Sequence, residues 1–380
     1  MAHEISRRQA LGMGLAATAV VATPLRAQGA ATPLKSLAQA RGIRFGSSVG
    51  AGAANNLAGS IHDPAYRDLL RRDCGVLVHE NELKWYVLRT EPTGFNFDPA
   101  DRIMQFAHEN DLGVRGHTLL WNRAEFTPAW LQSHDFGTRP ASAAEELITT
   151  HIRTVMERYR GRIYSWDVVN ETIDPETGEL RDTVFSRLLG ERVMDIAFNA
   201  AREADPRAQL VYNDYMGWDN GQDRHRDGVM RLVDGMATRG TPIDALGVQS
   251  HIWAAPNERL DGYDPDRDAR WRDFLTGITR LDLELAVTEF DVNGTNLPFD
   301  IEERDAEIAA LAEHYLTVML SYTQTRDLLV WGMADHYSWL QNLWPRPDGE
   351  PKRPSPYDAS FRAKPLRAAI ANALENAPAR

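Results

Sequence analysis

Residues 166–171 read Trp-Asp-Val-Val-Asn-Glu: an apolar strand core, Val168 and Val169, runs into an amide and an acid, Asn170 and Glu171, where a buried strand meets a turn. A second apolar run, residues 283–288 (LELAVT), ends in the same way on Glu289. If both strands belong to one parallel sheet, each delivers an acid at its carboxyl end, the face on which α/β barrels keep their chemistry. Two carboxylic acids facing each other across a pocket are the minimum equipment for hydrolysing a glycosidic bond. Either glutamate alone reads as a solvated charge, because acids are seldom buried without a partner. Paired, and with the motifs that flank them, they point to a site.

Working outward from this stretch, short apolar runs alternate from Ile43 onward with longer segments of helical period, the pattern of repeated βα units. Eight candidate strands follow: 43–48, 75–79, 113–117, 163–169, 209–213, 245–250, 283–289 and 328–334. Eight such units imply an α/β protein, a (β/α)8 barrel in a single domain spanning residues 32–380. Ser142 with Glu145 reads as a capping box opening a helix whose apolar face is Ile148, Ile152, Val155, Met156 and Tyr159, with Gly161 at its end. A last helix starts near Pro365 and carries Leu366, Ile370 and Leu374 on one side. The Pro-rich stretch 345–356 reads as a long loop after the eighth strand, because a periodic helix follows it. The acidic stretch 261–268 reads as a solvated loop, since it lacks the glycine and terminal glutamate of a calcium-binding loop.

The amino terminus reads differently. Arg7 and Arg8 precede an uncharged apolar run over 11–25 and small residues around 27–31. Such a segment is expected to be a twin-arginine export signal covering 1–31, too short to span a bilayer, which takes about 20 apolar residues. The mature protein is accordingly expected in the periplasm or outside the cell.

A hydrophobic fraction of 43 % and a charged fraction of 25 % are those of a globular chain with a sizeable core. A net charge of −12 speaks against nucleic acid and anionic membranes as partners, since both call for clustered Lys and Arg. The one cysteine, Cys74, rules out an internal disulfide and a cysteine-bound metal, and reads as a small core residue. No metal and no cofactor are expected, and a monomer is the simplest assembly.

Polar and aromatic residues then fall at the ends of consecutive strands: His79, Glu80, Asn81, Lys84 and Trp85 after the second; His117, Thr118, Trp121 and Asn122 after the third; Asn213, Asp214 and Tyr215 after the fifth. Gln249, Ser250 and His251 follow the sixth, Glu289 and Asp291 the seventh, and Trp331 to Trp339 the eighth. All lie on one expected rim. In these positions the chain resembles glycoside hydrolase family 10, the endo-β-1,4-xylanases. HENELKW (79–85), RGHTLLW (115–121), WDVVNE (166–171), GVQSH (247–251), VTEFD (287–291) and WGMADHYSW (331–339) match that family's motifs in order, over roughly Ser36 to Ala369.

The resemblance implies a retaining xylanase that cuts internal β-1,4-xylosidic bonds, with Glu171 as general acid/base and Glu289 as nucleophile. A retaining pair stands about 5 to 5.5 Å apart, one carboxyl protonated and one ionised. Asn170 resembles the residue that hydrogen-bonds the 2-hydroxyl of the sugar being cleaved, and His251 the partner that orients Glu289, with Asp291 behind it. Glu80, Asn81 and Lys84 resemble the group that grips the next sugar, while His117, Trp121, Gln249, Trp331 and Trp339 line the same side. The aromatic at Trp339 is implied to crowd the space a glucose hydroxymethyl would need. The family also implies a cis peptide at His117-Thr118. Asn122 stands where the family usually has His, which is expected to loosen a contact near the catalytic sugar.

One difficulty is local. Asn170 and Glu171 are neighbours, and neighbours on a regular strand point to opposite faces, so a bulge or irregular end must re-aim one of them. Competing readings are a β-1,4-glucanase on the same fold, a metal-dependent hydrolase, and a non-catalytic sugar-binding barrel. The isolated histidines, with no HxH pair, disfavour the second; the presence of both glutamates and Asn170 disfavours the third.

Overall fold

The computed structural model describes residues 31–52, 57–254 and 265–380. The export segment expected at 1–31 lies, but for its last residue, outside them. Within the unit Pro33–Arg380 the strands are β1 (Arg44–Val49), β2 (Val76–His79), β3 (Gly113–Gly116), β4 (Leu120–Trp121), β5 (Ser165–Asn170), β6 (Gln209–Asp214), β7 (Ala245–Val248), β8 (His251–Trp253), β9 (Glu284–Asn293) and β10 (Thr325–Val330). Eight of them, β1, β2, β3, β5, β6, β7, β9 and β10, pair in parallel in that order, and β10 pairs with β1 to close the ring. Helices connect successive strands, so the chain is a (β/α)8 barrel. Strands buried on both faces carry near-continuous apolar runs, which is why each was visible as a run and not as an alternation.

Each of the eight expected strands overlaps an observed one, and the departures have physical causes. The short strands β4 and β8 hold two and three residues, too few for any period to show. Strand β9 does not stop at Glu289. It continues to Asn293 because β8 pairs with its extension, His251 opposite Asp291 and Trp253 opposite Asn293. Glu289 and Asp291 therefore share one face of a strand. The eighth barrel strand starts three residues earlier than expected and ends at Val330, which leaves Trp331 to Trp339 free to fold over the rim. The helix expected to open on a Ser142 capping box begins instead at Pro140, with no side-chain cap. A proline in the first turn has no N–H to satisfy and already holds the helical φ, so it starts the helix without one. Part of the acidic stretch read as a loop is helical: Asp266 and Asp268 lie in the first turn of the helix Pro265–Thr279. The final helix, Pro365–Asn376, buries Leu366, Ile370 and Leu374 as expected, and Cys74 is fully buried.

Inside the barrel, beneath the site, Arg115 of β3 and Asp167 of β5 form a fully buried two-pronged ion pair. His117 completes this floor, its Nδ1 lying 2.9 Å from Asp167 Oδ2.

Candidate active site

The local problem at Asn170 and Glu171 is solved by the backbone. Between Asp167 and Val169 the register of β5 against β6 slips, so that Asp167 faces Val211 while Val169 faces Tyr212. One extra residue on β5 rotates the strand end. Glu171 then takes φ 54°, the left-handed region, with its N–H donating to Asn213 O at 2.9 Å. Neighbours that would have pointed apart both enter the cleft, with Asn170 1 % and Glu171 6 % exposed. The expected cis peptide at His117-Thr118 is present.

The cleft at the carboxyl ends of the strands has a volume of about 510 Å³. Eleven expected residues line it together: Lys84, His117, Trp121, Asn170, Glu171, Tyr215, Gln249, His251, Glu289, Trp331 and Trp339. Glu80, Asn81 and Asp291 are not part of that lining, and Asn81 is partly exposed. Asn81 Oδ1 accepts from Lys84 Nζ at 3.1 Å. Asp291 accepts from the indole of Trp339 at 2.8 Å and lies 2.9 Å from His251 Nδ1, so it fixes both rings. Glu80 is 9 % exposed, and burial raises its carboxyl against the opposing pull of Lys84.

The two acids are joined by a run of amides. Gln249 Nε2 donates to Glu171 Oε1 at 2.9 Å, and Asn170 Nδ2 approaches the same oxygen at 3.4 Å. Asn213 Nδ2 donates both to Asn170 Oδ1 at 2.9 Å and to Glu289 Oε1 at 2.8 Å, while Thr288 Oγ1 donates to Asn213 Oδ1 at 2.7 Å. Asn170 and Asn213 each use donor and acceptor at once, so neither can turn without stranding a buried polar group, a loss of about 1–3 kcal/mol.

The two acids have different charged neighbours. Burial alone would raise the Glu289 carboxyl; the positive field of His117, the hydrogen bond and charge of His251 and the charge of Lys84 outweigh it and hold the group at about 2. Burial likewise works against charge on His251, but Asp291 and Glu289 prevail and raise it to about 10, with Nε2 3.4 Å from Glu289 Oε2. Glu171 has different company: Arg123 Nη1 donates to its Oε2 at 3.0 Å.

Several participants had no legible signal. Arg123, Phe126 and Trp344 line the cleft from the segments between strands and Trp253 from the end of β8, and Asn213 stood on the expected rim without an assigned role. Glu82, inside the HENELKW motif, is 3 % exposed and accepts from the N–H groups of Ala51 at 2.6 Å and Asn81 at 3.0 Å, which sets the loop that carries Lys84. Asn122 corrects an expectation. Its side chain faces away from the cleft, fully buried, donating to Thr172 Oγ1 at 2.6 Å and accepting from Thr183 Oγ1 at 2.9 Å. It ties Thr172, next to Glu171, to Thr183 and is not part of the cleft lining.

Comparison with known proteins bears on the same stretch of chain. The model of the family described as Glycosyl hydrolase family 10 matches residues 33–373. The endo-1,4-beta-xylanase 3 of Hypocrea jecorina is 34 % identical over 310 residues, covering 81 % of this chain and 77 % of that protein. A beta-1,4-xylanase of Dictyoglomus thermophilum is 33 % identical over 293 residues, 74 % of this chain and 76 % of its own. Among solved structures, native xylanase 10B from Thermotoga maritima superposes with a TM-score of 0.77 at 29 % identity, covering 90 % of this chain and 98 % of that one. Xylanase 10B from Thermotoga petrophila in complex with xylobiose gives 0.77 at 28 %, over 90 % and 97 % of the two chains. A closed barrel, two buried glutamates joined by amides on its rim, and a match across nearly all of the described barrel make one conclusion: this chain belongs to glycosyl hydrolase family 10.

Proposed function

We propose that this glycoside hydrolase is a retaining endo-1,4-β-xylanase, with Glu289 as nucleophile and Glu171 as general acid/base. The observation that carries the reading is the unequal setting of two acids in one aromatic-lined cleft: Glu289, among His251, Asn213, His117 and Lys84, is held ionised down to about 2. In the first step a Glu289 oxygen attacks the anomeric carbon, the bond to the departing sugar breaks, and the Glu171 proton passes to the departing oxygen. In the second, Glu171, now a carboxylate, takes a proton from water, whose oxygen displaces Glu289 from the sugar. One water is consumed and both carboxyl groups return to their starting states.

Asn170 hydrogen-bonds the 2-hydroxyl of the reacting sugar, and its own orientation is set by Asn213 at 2.9 Å. Glu80, Asn81 and Lys84 hold the next sugar, with His117, Trp121, Gln249, Tyr215 and Trp331 lining the path. Indoles offer flat apolar faces to pyranose rings. Trp339, pinned by Asp291, crowds the space of a hydroxymethyl group and favours xylose over glucose. The names of the relatives point to the same polymer. Residues 1–31 direct export and are removed, leaving a barrel over 32–380. Among the described residues no helix is long and apolar enough to cross a membrane.

Two measurements test the reading. Incubation with unbranched xylan and with cellulose should release reducing ends from the first far faster; the reverse order would make the enzyme a glucanase. Proton NMR of early product should show the β-anomer first, and an initial α-anomer would mean inversion.

A further inference from the structure

Arg123 is absent from the motifs that mark the cleft, yet it holds one oxygen of Glu171. Its placement is built from both sides. Asn122, immediately before it, is locked by its N–H to Asn170 O at 3.0 Å and by its side chain to Thr172 and Thr183. Arg123 itself is braced by Glu125 Oε1, which accepts from Nε at 3.1 Å and Nη2 at 2.7 Å. Its guanidinium lies 5.1 Å from the centre of the Phe126 ring, and that ring stacks on Trp121 at 3.7 Å and 12°. The remaining donor, Nη1, meets Glu171 Oε2 at 3.0 Å, where the carboxylate is only 7 % exposed. Both glutamates keep the guanidinium charged in spite of its partial burial.

We propose that Arg123 is a positioning residue for the general acid/base: it fixes the rotation of the Glu171 carboxyl and stabilises the carboxylate left when the proton departs. The proposal rests on the assignment of Glu171 made above. An arginine cannot give up its own proton, so it acts only as a fixed donor. With Oε2 taken by Arg123 and Oε1 reached by Gln249, the carboxyl has one plane available. Help of this kind matters in proportion to how much the departing oxygen needs a proton. It is large for a sugar and small for an activated phenol.

The test compares kcat/KM on aryl β-xylobiosides with a good (dinitrophenyl) and a poor (phenyl) leaving group. Arg123→Ala should lose about tenfold on the poor substrate and about twofold or less on the good one, the size of one charge-assisted hydrogen bond. Arg123→Lys should recover part of that loss. In a Glu171→Ala background Arg123→Ala should add nothing, because the contact it serves is gone. Equal losses on both substrates, no loss on the poor one, or a full additional loss in the Glu171→Ala background would overturn the proposal. Should Arg123→Ala not fold, Glu125→Gln carries the test from an exposed position: the ratio of poor to good substrate should fall about threefold, and an unchanged ratio overturns it. Glu171→Ala alone separates the two layers. If it does not discriminate between leaving groups, the acid/base assignment fails whatever Arg123 does.

Discussion

At the residue scale the question is how a cleft that buries Glu289 keeps it ionised. Glu289→Ala should abolish turnover of every substrate, whereas Glu171→Ala should spare the first step on activated aryl glycosides and fail on xylan; steady-state rates on the two substrates check this. The pH behaviour follows from Glu289. In the proposed reaction attack needs the carboxylate, and cationic neighbours hold the group at about 2 in place of 4.5, so removing one of them must raise it. His251→Asn should therefore move the acid limb of kcat/KM upward from near 2 toward 4.5, and an unmoved limb would mean that His251 does not face Glu289 as a cation. Stability is linked to the same shifts. The depressed carboxyl contributes stability present above 4.5 and lost as pH falls through about 2. The raised imidazole contributes stability present below 6.5 and lost as pH rises through about 10.

At the scale of elements, the bulge in β5 and the close approach of β6 and β7 decide where the amides point. Gly247 of β7 lies under Asn213: a Cβ there would sit 2.3 Å from Asn213 Oδ1 and 3.1 Å from Thr288 Cγ2. Gly247→Ala should push the Asn213 amide off Glu289, lowering kcat about tenfold or more and stability by about 1–3 kcal/mol. Thermal melts and steady-state kinetics would show it, and a variant equal to wild type in both would mean that the amide bridge is dispensable. The bulge itself left no trace in the sequence. WDVVNE showed that an acid ends a strand, and only the neighbour rule of a regular strand showed that something had to bend. The slip lies between Asp167 and Val169, set by pairing with a strand over forty residues away.

At the scale of the molecule, the buried ion pair under the site links barrel to chemistry. Asp167 serves Arg115 and His117 together, so Asp167→Ala leaves a charged guanidinium buried without its partner. A loss of about 3–5 kcal/mol is expected from denaturant unfolding, with activity falling as His117 loses its anchor. Unchanged stability would mean that the barrel floor admits water. The proposed export signal has its own test: Arg7→Lys with Arg8→Lys should retain the protein in the cytoplasm, and equal export of the variant, measured by fractionation, would mean that the paired arginines are not the signal.

Read along the chain, the sequence by itself determined the architecture and the rim. Buried parallel strands must be apolar runs, and residues such as Glu171, Gln249 and Glu289 at the ends of those runs could only gather on one face of a closed sheet. It also determined family, because motifs of that kind are local strings. What only the tertiary structure decided are contacts between residues distant in sequence: Asn213 across to Glu289, Asn122 down to Thr183, Arg123 onto Glu171. A side chain's direction there depends on a strand slip, a left-handed residue or a loop brace, and these are set by packing against neighbours that no local pattern names.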